Sequence, residues 1–403
     1  MLTSFAYILL LGLVGAWLAQ CLKLPRLVGM LACGILIGPF VFNLLDPTVL
    51  AISADLRKIA LVIILVKAGL SLDVKDLKKV GRPALLMSFL PASFEILAYA
   101  GLAPLFFGIS HLEALVMGAV LAAVSPAVVV PRMVELMDQT YGVDQGLPQM
   151  ILAGSSCDDI FVIVLFTSFL HMAQGGSLEW TNLLDIPLSI ILGILLGLVV
   201  GYLFNRGNVY VSKRGMTIAS PVQVILIFGL SFGLLAIESF LQGRVAVSGL
   251  LAIIAMTMMV KNKGEAQLAE DFANSFGHLW QGAELFLFVL VGAAVDIRYM
   301  AQAGGKALVL IILALAIRSG AVYLALLGTS LTKKERLYAV FAYLPKATVQ
   351  AAIGGVPLAA GLPVGSLVLS VAVMAILLTA PLGATLMDQT SHKLLQVSRD
   401  SRH

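Results

Sequence analysis

Asp158 and Asp159 stand side by side in the apolar run AGSSCDDIFVIVLF, and their chemistry sets the question for the rest of the chain. A charge at the centre of a bilayer costs about 2.5–3.5 kcal/mol on insertion scales, so a pair of acids there needs a reason. Successive helical residues point about 100° apart, which lets one carboxylate face an ion pocket while its neighbour faces another partner. Two acids this close in a low dielectric repel, and their titrations are coupled. Such a dyad can trade protons for a hard cation. Sodium and lithium prefer oxygen ligands, available here from the carboxylates, Ser155, Ser156 and any freed backbone carbonyls. The plain alternative is a structural carboxylate pair bonded to the serines. An intramembrane aspartyl protease would need one aspartate on each of two helices, commonly after glycine. Here both lie on one segment and the chain has no Gly-Asp pair, so an enzyme is not expected.

Proline accounts for freed carbonyls. VSPAVVVP at 124–131 carries Pro126 and Pro131, and LPKATVQAAIGG at 344–355 carries Pro345. Each proline removes an amide donor and clashes with the preceding turn. A helix broken in this way exposes a positive N-terminal end and a negative C-terminal end. Lys346 can offset such a negative end or pair with an aspartate of the dyad; the bland alternative is a snorkelling lysine. Glu95 and Arg318 occupy matching places in the two halves with opposite charge, which predicts an intramembrane bridge, structural or gating. An isolated bridge would survive reversal of both charges. Lys67 reads as a snorkelling residue near the end of its apolar run.

These residues need a membrane bundle to hold them. The chain has 403 residues, 60% apolar and only 12% charged, with a mean hydropathy of +1.01. A soluble chain carries roughly a quarter charged residues. The apolar runs are long and continuous, which excludes the alternating pattern of a barrel and predicts an all-α polytopic membrane protein. Thirteen crossings are expected, at about 2–21, 27–45, 55–72, 83–108, 111–138, 147–173, 182–205, 221–240, 244–260, 278–296, 304–328, 337–361 and 364–387. The first reads as a retained helix, since it lacks a basic start and a cleavage site. With the N-terminus outside, inside ends carry 18 Lys and Arg and outside ends five, which puts the C-terminus in the cytoplasm. Cys21, Cys33 and Cys157 have neither metal-ligand spacing nor a disulfide framework.

The halves echo each other. AGLSLD at 68–73 matches VGAAVD at 291–296, and each half later has a proline-broken crossing. This predicts two inverted six-helix repeats, 1–173 and 216–403, joined by a linker helix within 174–215, with the broken helices crossing near the midplane.

VSPAVVVP, GSSCDDI and LPKATVQAAIGG together resemble the cation/proton antiporter superfamily, and within it the sodium/proton antiporters of the NHA branch. The resemblance spans nearly the whole chain. It implies Na+ or Li+ exchange for H+ by an elevator-like displacement, in the plasma (inner) membrane, without a resident cofactor. It implies a homodimer, with a dimerisation domain at about 1–50 and 182–260 and an ion-binding core at about 55–173 and 278–387. Asp159 would be the principal ion-binding carboxylate and Asp158 its partner, with Lys346 matching the branch's lysine on the broken helix. Ser125 and its neighbouring carbonyls would lie near the ion, although some relatives carry an acid where this chain has Ser125–Pro126. Glu95 and Arg318 match an acid and an arginine of the branch. Expected partners are a second copy and membrane lipids; neither nucleic acid nor a soluble regulatory domain in the chain is expected. A potassium/proton antiporter and a sodium-coupled symporter of organic anions are the alternatives, the latter wanting a more polar pocket.

Overall fold

The computed structural model describes residues 1–71, 74–175, 180–214, 218–241, 247–264 and 266–397. Asp73, one of the two acids that suggested the repeat, lies outside them, as does the side chain of Ser156. The first half contains α1 (Leu2–Cys21), α2 (Arg26–Ile37), α3 (Pro47–Ala51), α4 (Ser53–Ser71), α5 (Val74–Met87), α6 (Leu90–Phe107), α7 (His111–Ala122), α8 (Pro126–Asp138) and α9 (Leu147–Gly175). Next come α10 (Trp180–Lys213), α11 (Ser220–Leu241), α12 (Gly249–Lys263) and α13 (Ala266–Ala293). The chain finishes with α14 (Ile297–Ala325), α15 (Lys333–Ala342), α16 (Thr348–Ile353), α17 (Val356–Ala359) and α18 (Gly365–Leu394). No strand occurs among the described residues, apart from an isolated bridge between Tyr141 and Val397.

Within the described residues, each apolar segment read from the sequence overlaps one of these helices or a broken group of them. Nine helical stretches among the described residues are long and apolar enough to cross a membrane. The others are shorter for local reasons. Gly38-Pro39 stops α2 after 12 residues, and the expected 337–361 crossing is divided into α15, α16 and α17.

The chain forms two compact units. One comprises Asp55–Val74 and Ile163–Glu284, and within it α10 lies along α12. Gly193, Gly197 and Gly201 of α10 face the α12 side, where added Cβ atoms would overlap the carbonyls of Ser248, Ala252 and Met256. Small residues four apart let two membrane helices touch backbone to backbone.

The other unit comprises Met1–Ala54, Lys75–Val162 and Leu285–His403. Its element order repeats: unbroken α6, broken α7–α8 and long α9 in the first half; unbroken α14, broken α15–α16 and long α18 in the second. Each broken helix starts with a capping box. The Ser110 N–H donates to Glu113 Oε2 at 2.9 Å and the Glu113 N–H returns to Ser110 Oγ at 3.2 Å. Thr332 and Glu335 repeat the exchange at 2.7 and 3.2 Å. Where the helices break, they meet: the Ser125 N–H donates to the Pro345 carbonyl at 2.8 Å. Ser125 is extended, as a residue before proline must be, and Pro126 opens α8 where its missing N–H is harmless. Two pairs that touch, Glu95 with Arg318 and Ser125 with Thr348, are each separated by 223 residues. Residues near the two-fold axis of a duplicated fold meet their own counterparts, so the equal offset supports the repeat.

α18 buttresses the second break. Thr379 Oγ1 accepts the Lys346 N–H at 2.8 Å, and one turn later Gly383 lies against the Pro345 ring. A Cβ at Gly383 would sit 2.5 and 2.7 Å from Pro345 Cγ and Cδ. Gly383→Val is expected to destabilise the purified protein by about 1–3 kcal/mol, read as a lower melting temperature in detergent. Gly320→Ala, where the space is open, should leave the melting temperature at or above that of the wild type.

Candidate functional site

Arg318 on α14 is buried and distributes its donors over four segments. Nη1 donates to Glu95 Oε2 on α6 at 2.8 Å and also to the Ala122 carbonyl at the end of α7. Nη2 reaches Asp158 Oδ2 on α9 at 3.2 Å, and Nε reaches the Tyr343 carbonyl just past α15 at 3.0 Å. The guanidinium also lies 5.6 Å from the centre of the Tyr343 ring. A planar fork of five N–H groups suits this role, where an ammonium would not.

Lys346 follows Pro345 in the second break. Its ammonium donates to Glu95 Oε2 at 2.6 Å and to the Ala122 carbonyl at 3.3 Å, rather than to an aspartate of the dyad. One oxygen of Glu95 therefore serves two cations. Since Arg318 also bonds Asp158, reversing the charges of Glu95 and Arg318 together would set cation against Lys346 and anion against Asp158. The isolated bridge inferred from sequence is part of a four-membered cluster.

The end of α7 is saturated. Ala122 O accepts from Arg318 and Lys346, while Gln350 Nε2 on α16 donates to Ala123 O at 2.8 Å and Leu121 O at 3.3 Å. The Val124 N–H donates to Asp158 Oδ2 at 2.8 Å. The carbonyls expected to be freed by Pro126 thus already accept protein donors, because a negative helix end inside a bundle must be compensated. Ser125 Oγ stands 3.5 Å from Thr348 Oγ1. Ser155 turns its hydroxyl to its own helix, donating to Leu152 O at 3.1 Å.

The dyad divides as adjacent helical positions should. Asp158 Oδ2 is held by Val124 and Arg318, whereas Asp159 makes no hydrogen bond or ion pair among the described residues. Asp158 Oδ1 and Asp159 Oδ1 are both buried without a hydrogen-bond partner. Three acids, Glu95, Asp158 and Asp159, are thus buried with two bases, Arg318 and Lys346. Among the described residues no set of three His, Cys, Asp or Glu side chains converges as for a resident metal. Pro131 lies inside α8, away from the break, and Lys67 stands 5.6 Å over the Trp280 ring in the other unit. Sequence reasoning missed Gln350, Thr348, Thr379 and Tyr343. Gln350 had a readable signal, being a glutamine at the third position of a helix start.

A multi-pass helical bundle with two broken helices meeting beside buried carboxylates is the architecture of a secondary transporter. The chain belongs to the sodium/hydrogen exchanger family: residues 8–388 match the family described as "Sodium/hydrogen exchanger, transmembrane". That is a family of transporters and not of enzymes. Sodium/hydrogen exchanger 9B2 of Homo sapiens is 34% identical over 397 residues, covering 96% of this chain and 72% of that protein. Sodium/hydrogen exchanger 9B1 of Homo sapiens is 31% identical, covering 93% and 73%. The sodium proton antiporter MjNhaP1 from Methanocaldococcus jannaschii at pH 8 has the same fold, with a TM-score of 0.84, 20% identity and 98% of both chains covered.

Breaking a buried ion pair on one side costs about 3–5 kcal/mol, because the stranded charge has no solvent. Glu95→Gln strands Lys346 and leaves Arg318 with Asp158 as its only carboxylate, and should lower the melting temperature in detergent sharply. Adding Lys346→Gln should recover part of that loss. Combining Glu95→Arg with Arg318→Glu should recover none, which a double-mutant cycle of melting temperatures will show.

Proposed function

We propose that this protein is an antiporter that exchanges Na+ or Li+ for H+ through Asp158 and Asp159, by alternating access with an elevator-like displacement. The observation that carries this reading is the charge imbalance of the buried cluster: three acids face two bases, and the acid without a hydrogen bond or ion pair among the described residues is Asp159. One monovalent cation balances it, whether bound as a proton or as an alkali ion. A site that holds one or the other, and not both, couples their movements in opposite directions. Side-chain oxygens suited to a hard cation are the partnerless Oδ1 atoms of Asp158 and Asp159 and Oε1 of Glu95, with the hydroxyls of Ser125 and Thr348 at the crossing. Ser155 would join only by turning away from Leu152. The family membership, and the names of the relatives as sodium/hydrogen exchangers, support the choice of ions.

The protein would act as a homodimer in the plasma (inner) membrane, N-terminus outside and C-terminus in the cytoplasm. Its mobile core would be drawn from about 55–173 and 278–387 and its dimerisation part from about 1–50 and 182–260. Glu95, Arg318 and Lys346 would hold the crossing together while the core moves.

Purified protein in proteoliposomes carrying a pH gradient tests the reading. Sodium or lithium should dissipate the gradient, seen by a trapped pH dye, and Asp159→Asn should abolish the response in folded protein. Asp158→Asn should alter the pH profile. A response to potassium alone would give the potassium/proton alternative, and silence to all three ions would return the organic-anion symporter. Retained turnover in Asp159→Asn would refute the site.

A further inference from the structure

The C=O of Ala123 and the N–H of Val124 are two ends of one planar peptide unit. Gln350 Nε2 holds the first end at 2.8 Å, and Asp158 Oδ2 accepts from the second at 2.8 Å. The amide's orientation follows from its partners. Its Oε1 accepts the Ala347 N–H at 2.8 Å, while Nε2 faces the carbonyls of Leu121 and Ala123, which can only accept. One carboxamide thus closes the start of α16 and the end of α7 and fixes the peptide plane that orients a dyad carboxylate. The side chain is fully buried, so water cannot replace it.

We propose that Gln350 is a positioning residue of the ion site, acting on Asp158 through the rigid Ala123–Val124 peptide. This rests on the antiport reading above. Gln350 does not touch the cation. It keeps the Ala123 carbonyl turned away from the dyad and the Val124 N–H turned toward it, so that Asp158 retains its second donor beside Arg318. Without the amide the Ala123 end of the plane loses its anchor, leaving the Val124–Asp158 bond alone to set its tilt, and the carbonyls of Leu121 and Ala123 lose this donor. Only a group that accepts at one tip and donates at the other fits. A carboxylate of the same shape keeps the Ala347 contact but turns two favourable contacts into repulsions, until it is protonated and can donate an O–H to one of the carbonyls.

That reversal supplies a test that simple packing would not pass. Sodium-driven proton movement is measured in proteoliposomes across a range of pH for wild type, Gln350→Met and Gln350→Glu, with Asp159→Asn as the null. Gln350→Met should raise the apparent KM for sodium roughly tenfold or more at every pH, as expected for the loss of three hydrogen bonds in the interior, with kcat changed less. Gln350→Glu, divided by the wild-type profile, should match Gln350→Met at alkaline pH and return toward wild type as the pH falls. A wild-type KM in Gln350→Met overturns the proposal. So does a Gln350→Glu profile that keeps the shape of the wild type, whether uniformly active or uniformly impaired. If Gln350→Met does not fold, the shape of the Gln350→Glu profile alone decides. Wild-type exchange that survives in Asp159→Asn sinks the antiport reading itself. Exchange that depends on Asp159 but is indifferent to Gln350 sinks only this inference.

Discussion

A guanidinium enclosed by protein needs hydrogen-bond acceptors and a counter-charge, with no water to help, and Arg318 finds four acceptors and two carboxylates among the same neighbours. Glu95 and Asp158 supply charge, while the carbonyls of Ala122 and Tyr343 supply the remaining acceptors. Those four groups sit on α6, on α9 and at the broken ends of α7 and α15. Their mutual placement is therefore fixed by one rigid planar group more than by apolar packing, which is non-directional and would tolerate small slides. Lys346 adds a second cation on the same acid and the same carbonyl, tightening the knot from the side of the second break.

The broken helices make this knot necessary. An unbroken helix in a membrane satisfies its own backbone, but Pro126 and Pro345 create ends whose carbonyls need donors. The second half provides them to the first: Arg318, Lys346 and Gln350 all come from beyond α13, and all act on the end of α7. The duplicated fold places Glu95 opposite its counterpart, where two like residues would repel. The two halves have diverged at that position to opposite charges, and the axis of the repeat became an ion pair.

The charges were legible in the sequence, and so was the pairing of Glu95 with Arg318; the remaining partners were not. Asp158, Asp159, Glu95, Arg318 and Lys346 announce themselves because each interrupts an apolar run, where a charge is costly. The prolines gave the breaks, and the breaks gave the crossing. Lys346 could be assigned to a dipole end or to a carboxylate, yet the choice of Glu95 over the dyad depends on distances that no spacing encodes. Thr379 stayed hidden for a different reason: a hydroxyl in an apolar helix is common, and its importance lies wholly in which backbone atom it meets. That protein donors fill the carbonyls of Leu121, Ala122 and Ala123 could not be read from the sequence, because breaking a helix says nothing about who fills the gap. Asp73, which suggested the repeat, was less informative than the equal offset of the two contacting pairs.

The separation of those pairs has a consequence for how the molecule is made. Chains emerge from the ribosome N-terminus first, and each half can begin its broken helix with a local capping box, Ser110 with Glu113 and Thr332 with Glu335. The ion site has no such local closure. Glu95, Asp158 and Asp159 are all synthesised before Arg318 and Lys346 exist. A nascent chain halted after α9 therefore holds the site's three acids and neither of its bases, which arrive with α14 and with the break that precedes α16. Synthesis order thus leaves the acids of the site uncompensated until most of the chain has been made.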